Sequence, residues 1–171
     1  KANATADVVS VAKEWLQRGD TPVLSLQNGV ENETIIASAI GEKRTLGGLA
    51  VRIGGHIEAP GMVEARGVAQ VVFGAWPVQS NAENVGSLET LARGLREADI
   101  ENVLSDNIQK ELWRKLLINN GVNPLSAMTG LDTRALTSHP VHGQVVYRMM
   151  EDAAAAAQVE GVDITQKDVD E

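Results

Sequence analysis

The stretch Glu111-Leu112-Trp113-Arg114-Lys115-Leu116-Leu117-Ile118-Asn119-Asn120-Gly121-Val122-Asn123-Pro124-Leu125-Ser126-Ala127 is an apolar helical run that carries a lysine and three asparagines. A helix that only had to fold would not hold so much amide, because buried polar groups cost free energy unless bonded. Lys115, Asn119 and Asn123 recur every four residues, which sets them along one drifting stripe of a helix. Successive members stand about 6 Å apart along the axis, at 1.5 Å per residue. The pattern predicts a ladder of one cation and two amides, able to grip a small oxygen-rich molecule. Residue by residue, plainer readings compete. Lys115 could be a surface lysine, Asn119 or Asn120 could face solvent, and Asn123 could end the helix. Together these readings strain, because Leu112, Leu116, Leu117, Ile118 and Val122 already surround much of the helix. A lysine in apolar surroundings has its pKa lowered by desolvation or is held charged by a partner. Either state suits a proton donor or an electrostatic clamp on a carbonyl oxygen.

Working outward, everything from Ser105 onward reads as helix. Ser105 or Asp106 can cap a helix running to about Val122. Asn123-Pro124 is expected to end or kink it, since the residue before proline avoids the α region. Thr137 or Ser138 can cap another helix, through Met149, Met150 and the alanine run at 153–157, to Gly161. Thr165-Gln166-Lys167-Asp168 reads as a helix start, a capping hydroxyl with an acid three residues on.

Before residue 105 the period changes. Val8, Val11, Ala12, Trp15 and Leu16 follow helical spacing, and Val23-Leu24-Ser25-Leu26 is a short strand-like run. Gln27-Asn28-Gly29 breaks it, and residues 31–40 read as a second helix. That rhythm belongs to a parallel α/β sheet. Residues 45–53, 55–59, 62–66 and 68–73 are short β-like runs, expected to extend or flank the sheet in part antiparallel. Residues 84–98 read as a helix and 100–104 as a last strand. The expected organisation is therefore α/β over 1–104 followed by all-α over 105–171. In an open α/β sheet, ligands bind beyond the carboxyl ends of the strands, which would put Asn28 at a site, with Gly29 letting a ligand approach the backbone. Taken alone, Asn-Gly is equally a common turn pair.

The remaining features bound the function. The 171 residues carry 43% hydrophobic and 22% charged residues, ordinary for a globular protein. A net charge of -8 without a basic cluster argues against nucleic acid as a partner. No apolar run approaches the roughly 20 residues of a membrane helix. There is no cysteine, which excludes disulfides and thiol catalysis and suits a cytoplasmic protein. His56, His139 and His142 form no familiar metal spacing, so no metal site is expected. Gly47-Gly48 and Gly54-Gly55 mark turns or close approaches and belong to no Gly-x-Gly-x-x-Gly fingerprint. Trp15, Trp76 and Trp113 are expected to anchor cores. The abrupt ends, Lys1 at one and a helix start near Thr165 at the other, suggest a piece of a longer polypeptide.

Glu111-Leu112-Trp113-Arg114-Lys115-Leu116, then Asn119, then Asn123-Pro124-Leu125-Ser126-Ala127, resembles the signature of the ketopantoate reductases (2-dehydropantoate 2-reductases). Gln27-Asn28-Gly29 resembles that family's turn before the cofactor, and Lys1-Ala2 the lysine after its preceding strand. The resemblance implies the C-terminal half of a Rossmann-type NADP-binding domain. It also implies the first helices of a helical, 6-phosphogluconate-dehydrogenase-like C-terminal domain. It implies an oxidoreductase acting on CH–OH that reduces 2-dehydropantoate to pantoate with NADPH, a step toward pantothenate and coenzyme A. By it, Lys115 would be the proton donor and Asn119 and Asn123 substrate-binding amides. Asn28 would touch both substrate and cofactor, and Lys1 would lie near the cofactor. The partner is then a small-molecule 2-oxo acid, with neither nucleic acid nor membrane; a homodimer is compatible with this reading. The family's glycine fingerprint and its C-terminal helices fall outside the 171 residues, so this length alone is expected to be poorly active. Thr133 stands where the family has a further substrate asparagine. That departure keeps two alternatives open: a related dehydrogenase for another 2-oxo acid, or a non-catalytic fragment of the fold.

Overall fold

The structure is a computed structural model and describes residues 2–52 and 54–171. They group into two compact units, the first ending at Gln109 and the second spanning Lys110–Glu171.

The first unit runs α1 (Thr5–Gln17), β1 (Val23–Leu24), α2 (Asn32–Ile40), β2 (Thr45–Val51), β3 (Gly54–Ala59), β4 (Met62–Arg66), β5 (Gln70–Ala75), α3 (Asn81–Glu97) and β6 (Glu101–Leu104). Four strands form one sheet in the order β1-β2-β5-β6. β1 pairs parallel with β2, β2 antiparallel with β5, and β5 parallel with β6. The sheet is therefore mixed, as the change of period predicts. β3 and β4 form a separate antiparallel hairpin. The strand expected over 45–53 ends at Val51, and Ile53 lies outside the described residues.

β2 is buried over its first five residues, as a strand covered on both faces should be. Its alternation divides the neighbours. Leu46 joins Phe73, Ala75, Leu88 and Ala92 in a core that binds α3 to the sheet. The next residue, Gly47, faces the side chains of Ile108 and Glu33.

Trp15 does not anchor a core. It is 71% exposed, on a stripe with Val8 and Val11, which are 63% and 90% exposed. α1 is tied down by polar groups instead. Thr5 Oγ1 donates to Asn32 Oδ1 at 2.8 Å, and Gln17 Nε2 to the Ala39 carbonyl at 3.0 Å.

α4 (Ile108–Thr129) begins in the first unit and continues into the second, which adds α5 (Thr133–Ser138), α6 (His142–Val159) and α7 (Gln166–Asp170). The helix does not end at Asn123-Pro124 but continues to Thr129, with Pro124 in its interior. An interior proline costs roughly 3 kcal/mol of helix propensity. Packing offsets it: Val122 and Leu125 on either side of the proline join Leu136, Val146 and Met150 in a core. The caps also differ from expectation. Asp132 caps α5 by accepting from the Ala135 amide at 2.8 Å. α6 starts only at His142, where His139 Nδ1 accepts from the Val141 and His142 amides at 3.2 Å. The Thr165–Asp168 capping box forms as the sequence suggests and opens α7.

A second core joins Leu117 of α4 to Ala153, Ala154 and Ala157 of α6 and to Val162, Ile164 and Val169 beyond it. Trp113 packs against this core, as an anchoring tryptophan should. The close approach of α4 and α6 needs Gly121. A Cβ there would stand 3.0 Å from the Val146 carbonyl oxygen and 2.9 Å from Met150 Cγ.

Candidate functional site

The second unit carries the ladder. Lys115 and Asn119 are half-buried on α4, and Asn123 is exposed one turn further on. Asn123 Nδ2 donates to Asn119 Oδ1 at 3.3 Å, so the two amides form the i,i+4 pair that the spacing implies. Desolvation pushes the Lys115 amine below the ordinary lysine value of 10.5. Lys115 therefore keeps a proton that it can release more readily than a surface lysine. Asn120 is separated from the other two. Its Nδ2 donates to the Met149 carbonyl at 2.8 Å and ties α4 to α6. Side-chain direction decides this, since neighbouring residues lie about 100° apart around a helix of 3.6 residues per turn.

Two further cations of α4 serve α7. Lys110 Nζ stands 3.1 Å, and Arg114 Nε 3.5 Å, from the carboxylate of Asp168, whose side chain is only 7% exposed. Arg114 also pairs with Glu171. Burial alone would raise the Asp168 pKa. The Thr165 amide and hydroxyl and the Lys110 charge outweigh it and hold the carboxyl at about 2.

A cavity of about 620 Å³ opens on a different side of α4, between Arg114, Asp168 and an apolar wall, and Lys115, Asn119 and Asn123 are not among its lining residues. Ile118, Val122, Thr133, Val146 and Met150 are among its walls. His139 and His142 stack with ring centroids 4.1 Å apart. Among the described residues no group of His, Cys, Asp or Glu could hold a metal ion. The side chain of His56 lies outside the described residues. Among the described residues no helix is long and apolar enough to cross a membrane.

The first unit carries the turn. Gln27-Asn28-Gly29 follows β1, hence lies at the carboxyl end of a parallel strand, and precedes α2. Gly29 has φ 107°, a left-handed conformation that favours glycine. The Asn28 residue is exposed, and its backbone carbonyl accepts from Asn32 Nδ2 at 3.1 Å. Gln27 Nε2 donates to Thr5 Oγ1 at 2.9 Å, and that hydroxyl donates in turn to Asn32 Oδ1. Lys1 lies outside the described residues.

The sequence reading missed Glu33. An acid in the first turn of a helix ordinarily faces solvent and the helix dipole. Glu33 is fully buried instead, and no residue pattern around it announces that.

Two family models match this chain. One, described as "Ketopantoate reductase PanE/ApbA", matches residues 1–78. The other, "Ketopantoate reductase PanE/ApbA C terminal", matches residues 107–171. A 2-dehydropantoate 2-reductase of Pyrococcus horikoshii is 28% identical over 162 residues, covering 95% of this chain and 51% of that protein. Another, from Halobacterium salinarum, is 26% identical and covers 96% of this chain and 53% of its own length. The chain thus spans about half the length of the curated relatives it matches. Among solved structures, 2-dehydropantoate 2-reductase from Geobacter metallireducens GS-15 superposes with a TM-score of 0.81 at 26% identity, covering 98% of this chain and 54% of that one. D-mandelate dehydrogenase in complex with NADH superposes with a TM-score of 0.83 at 24% identity, covering 99% of this chain and 55% of that one. The latter identity speaks for the fold alone. With both family models spanning most of its length, an α/β unit followed by helices, and structural neighbours of the same architecture, the chain belongs to the ketopantoate reductase PanE/ApbA family.

Proposed function

We propose that the full-length protein reduces 2-dehydropantoate to pantoate with NADPH, and that Lys115 donates the proton. One observation carries this reading: a half-buried lysine with a lowered pKa stands one helical turn before a hydrogen-bonded asparagine pair. A reduced nicotinamide supplies hydride to the ketone carbon when it is bound. The carbonyl oxygen then gathers negative charge, which a positioned ammonium stabilises and neutralises by giving up its proton. Asn119 Oδ1 accepts from Asn123 Nδ2, and outside that bond Nδ2 of Asn119 can donate to the carboxylate and Oδ1 of Asn123 can accept from a hydroxyl of the acid. Such anchoring limits the substrate to productive poses.

The turn of the first unit suits a nucleotide. Among the described residues a Cβ at Gly29 would meet only Asn32 Nδ2, at 3.6 Å, so the backbone there has room for a ligand. Asn28 beside it would contact the cofactor and the substrate, and Lys1 would lie near the cofactor. The names of the curated relatives support the same substrate.

Thr133 favours a second reading, reduction of another 2-oxo acid. It stands where the family resemblance implies a further substrate asparagine, a hydroxyl in place of an amide. The full-length protein should be assayed by loss of NADPH or NADH absorbance against 2-dehydropantoate and a panel of branched and aromatic 2-oxo acids. The first reading expects kcat/KM for 2-dehydropantoate at least about 10-fold above the others, which is about 1.4 kcal/mol of transition-state discrimination. A preference of that size for an aromatic or bulkier acid would replace it with the second. No turnover with any acid would sink both.

A further inference from the structure

Glu33, the second residue of α2, is 0% exposed, and among the described residues neither carboxylate oxygen has a hydrogen-bond partner of ordinary geometry. Its Cγ lies 3.5 Å from the position a Cβ would take at Gly47, and the Ile108 side chain crowds the same point at 3.1 Å. The carboxyl is thus lodged between α2, β2 and the first residue of α4. Burial raises its pKa to about 7, and the Ser25 hydroxyl and the backbone at the helix start offset that only in part. An acid serving only as a helix-start charge would gain more on the surface.

Its neighbours all lead to one place. Ser25, itself buried, closes β1 and accepts weakly from the Gln27 amide at 3.4 Å. Asn32, next to Glu33 in sequence and also buried, holds the Asn28 carbonyl and the Thr5 hydroxyl. Thr5 in turn accepts from the Gln27 side chain. Ser25 and Asn32 therefore hold the Gln27-Asn28-Gly29 turn from its two ends; the Ser25 hydroxyl bears on the Glu33 carboxyl, and Asn32 precedes Glu33 in α2.

We propose that Glu33 is a positioning residue, a buried wedge against Ser25, Gly47 and Ile108 that fixes the Gln27-Asn28-Gly29 turn and so the placement of Asn28. This rests on the reading of Asn28 as a cofactor and substrate contact. The wedge acts through the shape of the side chain, so glutamine should replace it and alanine should not.

The test uses full-length protein with Glu33→Gln and Glu33→Ala, read in two ways. Hydrogen exchange of the peptide spanning 25–31 reports the turn itself without any ligand. NADPH affinity, by nucleotide fluorescence, reports its use. In Glu33→Ala the turn should exchange about 10-fold faster, and NADPH should bind about 10-fold more weakly, each equivalent to about 1.4 kcal/mol. Glu33→Gln should stay within about 2-fold of wild type in both. Wild-type exchange in Glu33→Ala, or faster exchange in Glu33→Gln, overturns the positioning role. If alanine prevents folding, Glu33→Asp, which withdraws the carboxyl by one methylene, takes its place: faster exchange of 25–31 supports the positioning role and wild-type exchange overturns it. Faster exchange in Glu33→Ala with unchanged NADPH affinity would uphold the positioning role and count against the cofactor role of Asn28.

Discussion

Two faces of α4 put their cations to different uses. On one, Lys110 and Arg114 reach Asp168, and Arg114 also reaches Glu171, so acids neutralise both cations and bind α7 to the helix. On the other, the shift of Lys115 has desolvation as its resolved cause, and the next two residues along its stripe are amides. Acid partners favour the charged form of a lysine, whereas desolvation disfavours it. The first arrangement attaches α7, and the burial of Lys115 is the ground on which the proton transfer is proposed. Position along the helix therefore says little about role; the chemistry of the neighbours decides it.

The largest effect should come from Lys115→Ala in the full-length enzyme. It should lower kcat about 10²- to 10³-fold, the range for losing a transition-state donor. NADPH affinity should stay within about 2-fold, since the lysine would act on the substrate oxygen. Steady-state kinetics and a binding titration check both. An unchanged kcat would erase the distinction between the two faces.

A smaller effect of a different kind should follow Asp168→Asn. Stability should fall by about 1–2 kcal/mol, as when a charged hydrogen-bonding group loses its partners, with kcat nearly unchanged. Thermal melts at two pH values sharpen this. The folded carboxyl sits at about 2, below the ordinary aspartate value of 3.8. Its pairing thus contributes fully above about pH 4 and is lost as the pH falls toward 2. Wild type should lose stability across that window, and Asp168→Asn should lose less. Equal acid sensitivity in the two would remove Asp168 from its anchoring role.

Much of this was legible in the residues themselves. The strand-then-Asn-Gly order gave the turn at the end of β1, because parallel sheets follow strands with turns and helices. The hydroxyl and acid three residues apart gave the capping box of α7, because that motif satisfies its own amides locally. The ladder was legible as spacing. That Asn120 would bind the Met149 carbonyl was not, because that depends on where α6 lies. Pro124 misled for a similar reason: its local cost is visible in sequence, while the core around Val122 and Leu125 that offsets it is not. The α1 stripe of Val8, Val11 and Trp15 announces an apolar face but not what covers it. Glu33 gave no signal at all, since the same acid at the same helix position is ordinarily solvated.

The central claim, that Lys115 gives up a proton during reduction, is tested most directly by kcat against pH in the full-length enzyme with saturating NADPH and 2-dehydropantoate. A donor must be protonated to act, so kcat should fall as the pH rises through the lysine pKa. Desolvation lowers that pKa, so the midpoint should lie below 10.5, and the descending limb should be missing from the residual rate of Lys115→Ala. A level profile up to pH 10.5, or the same limb persisting in Lys115→Ala, would contradict the account.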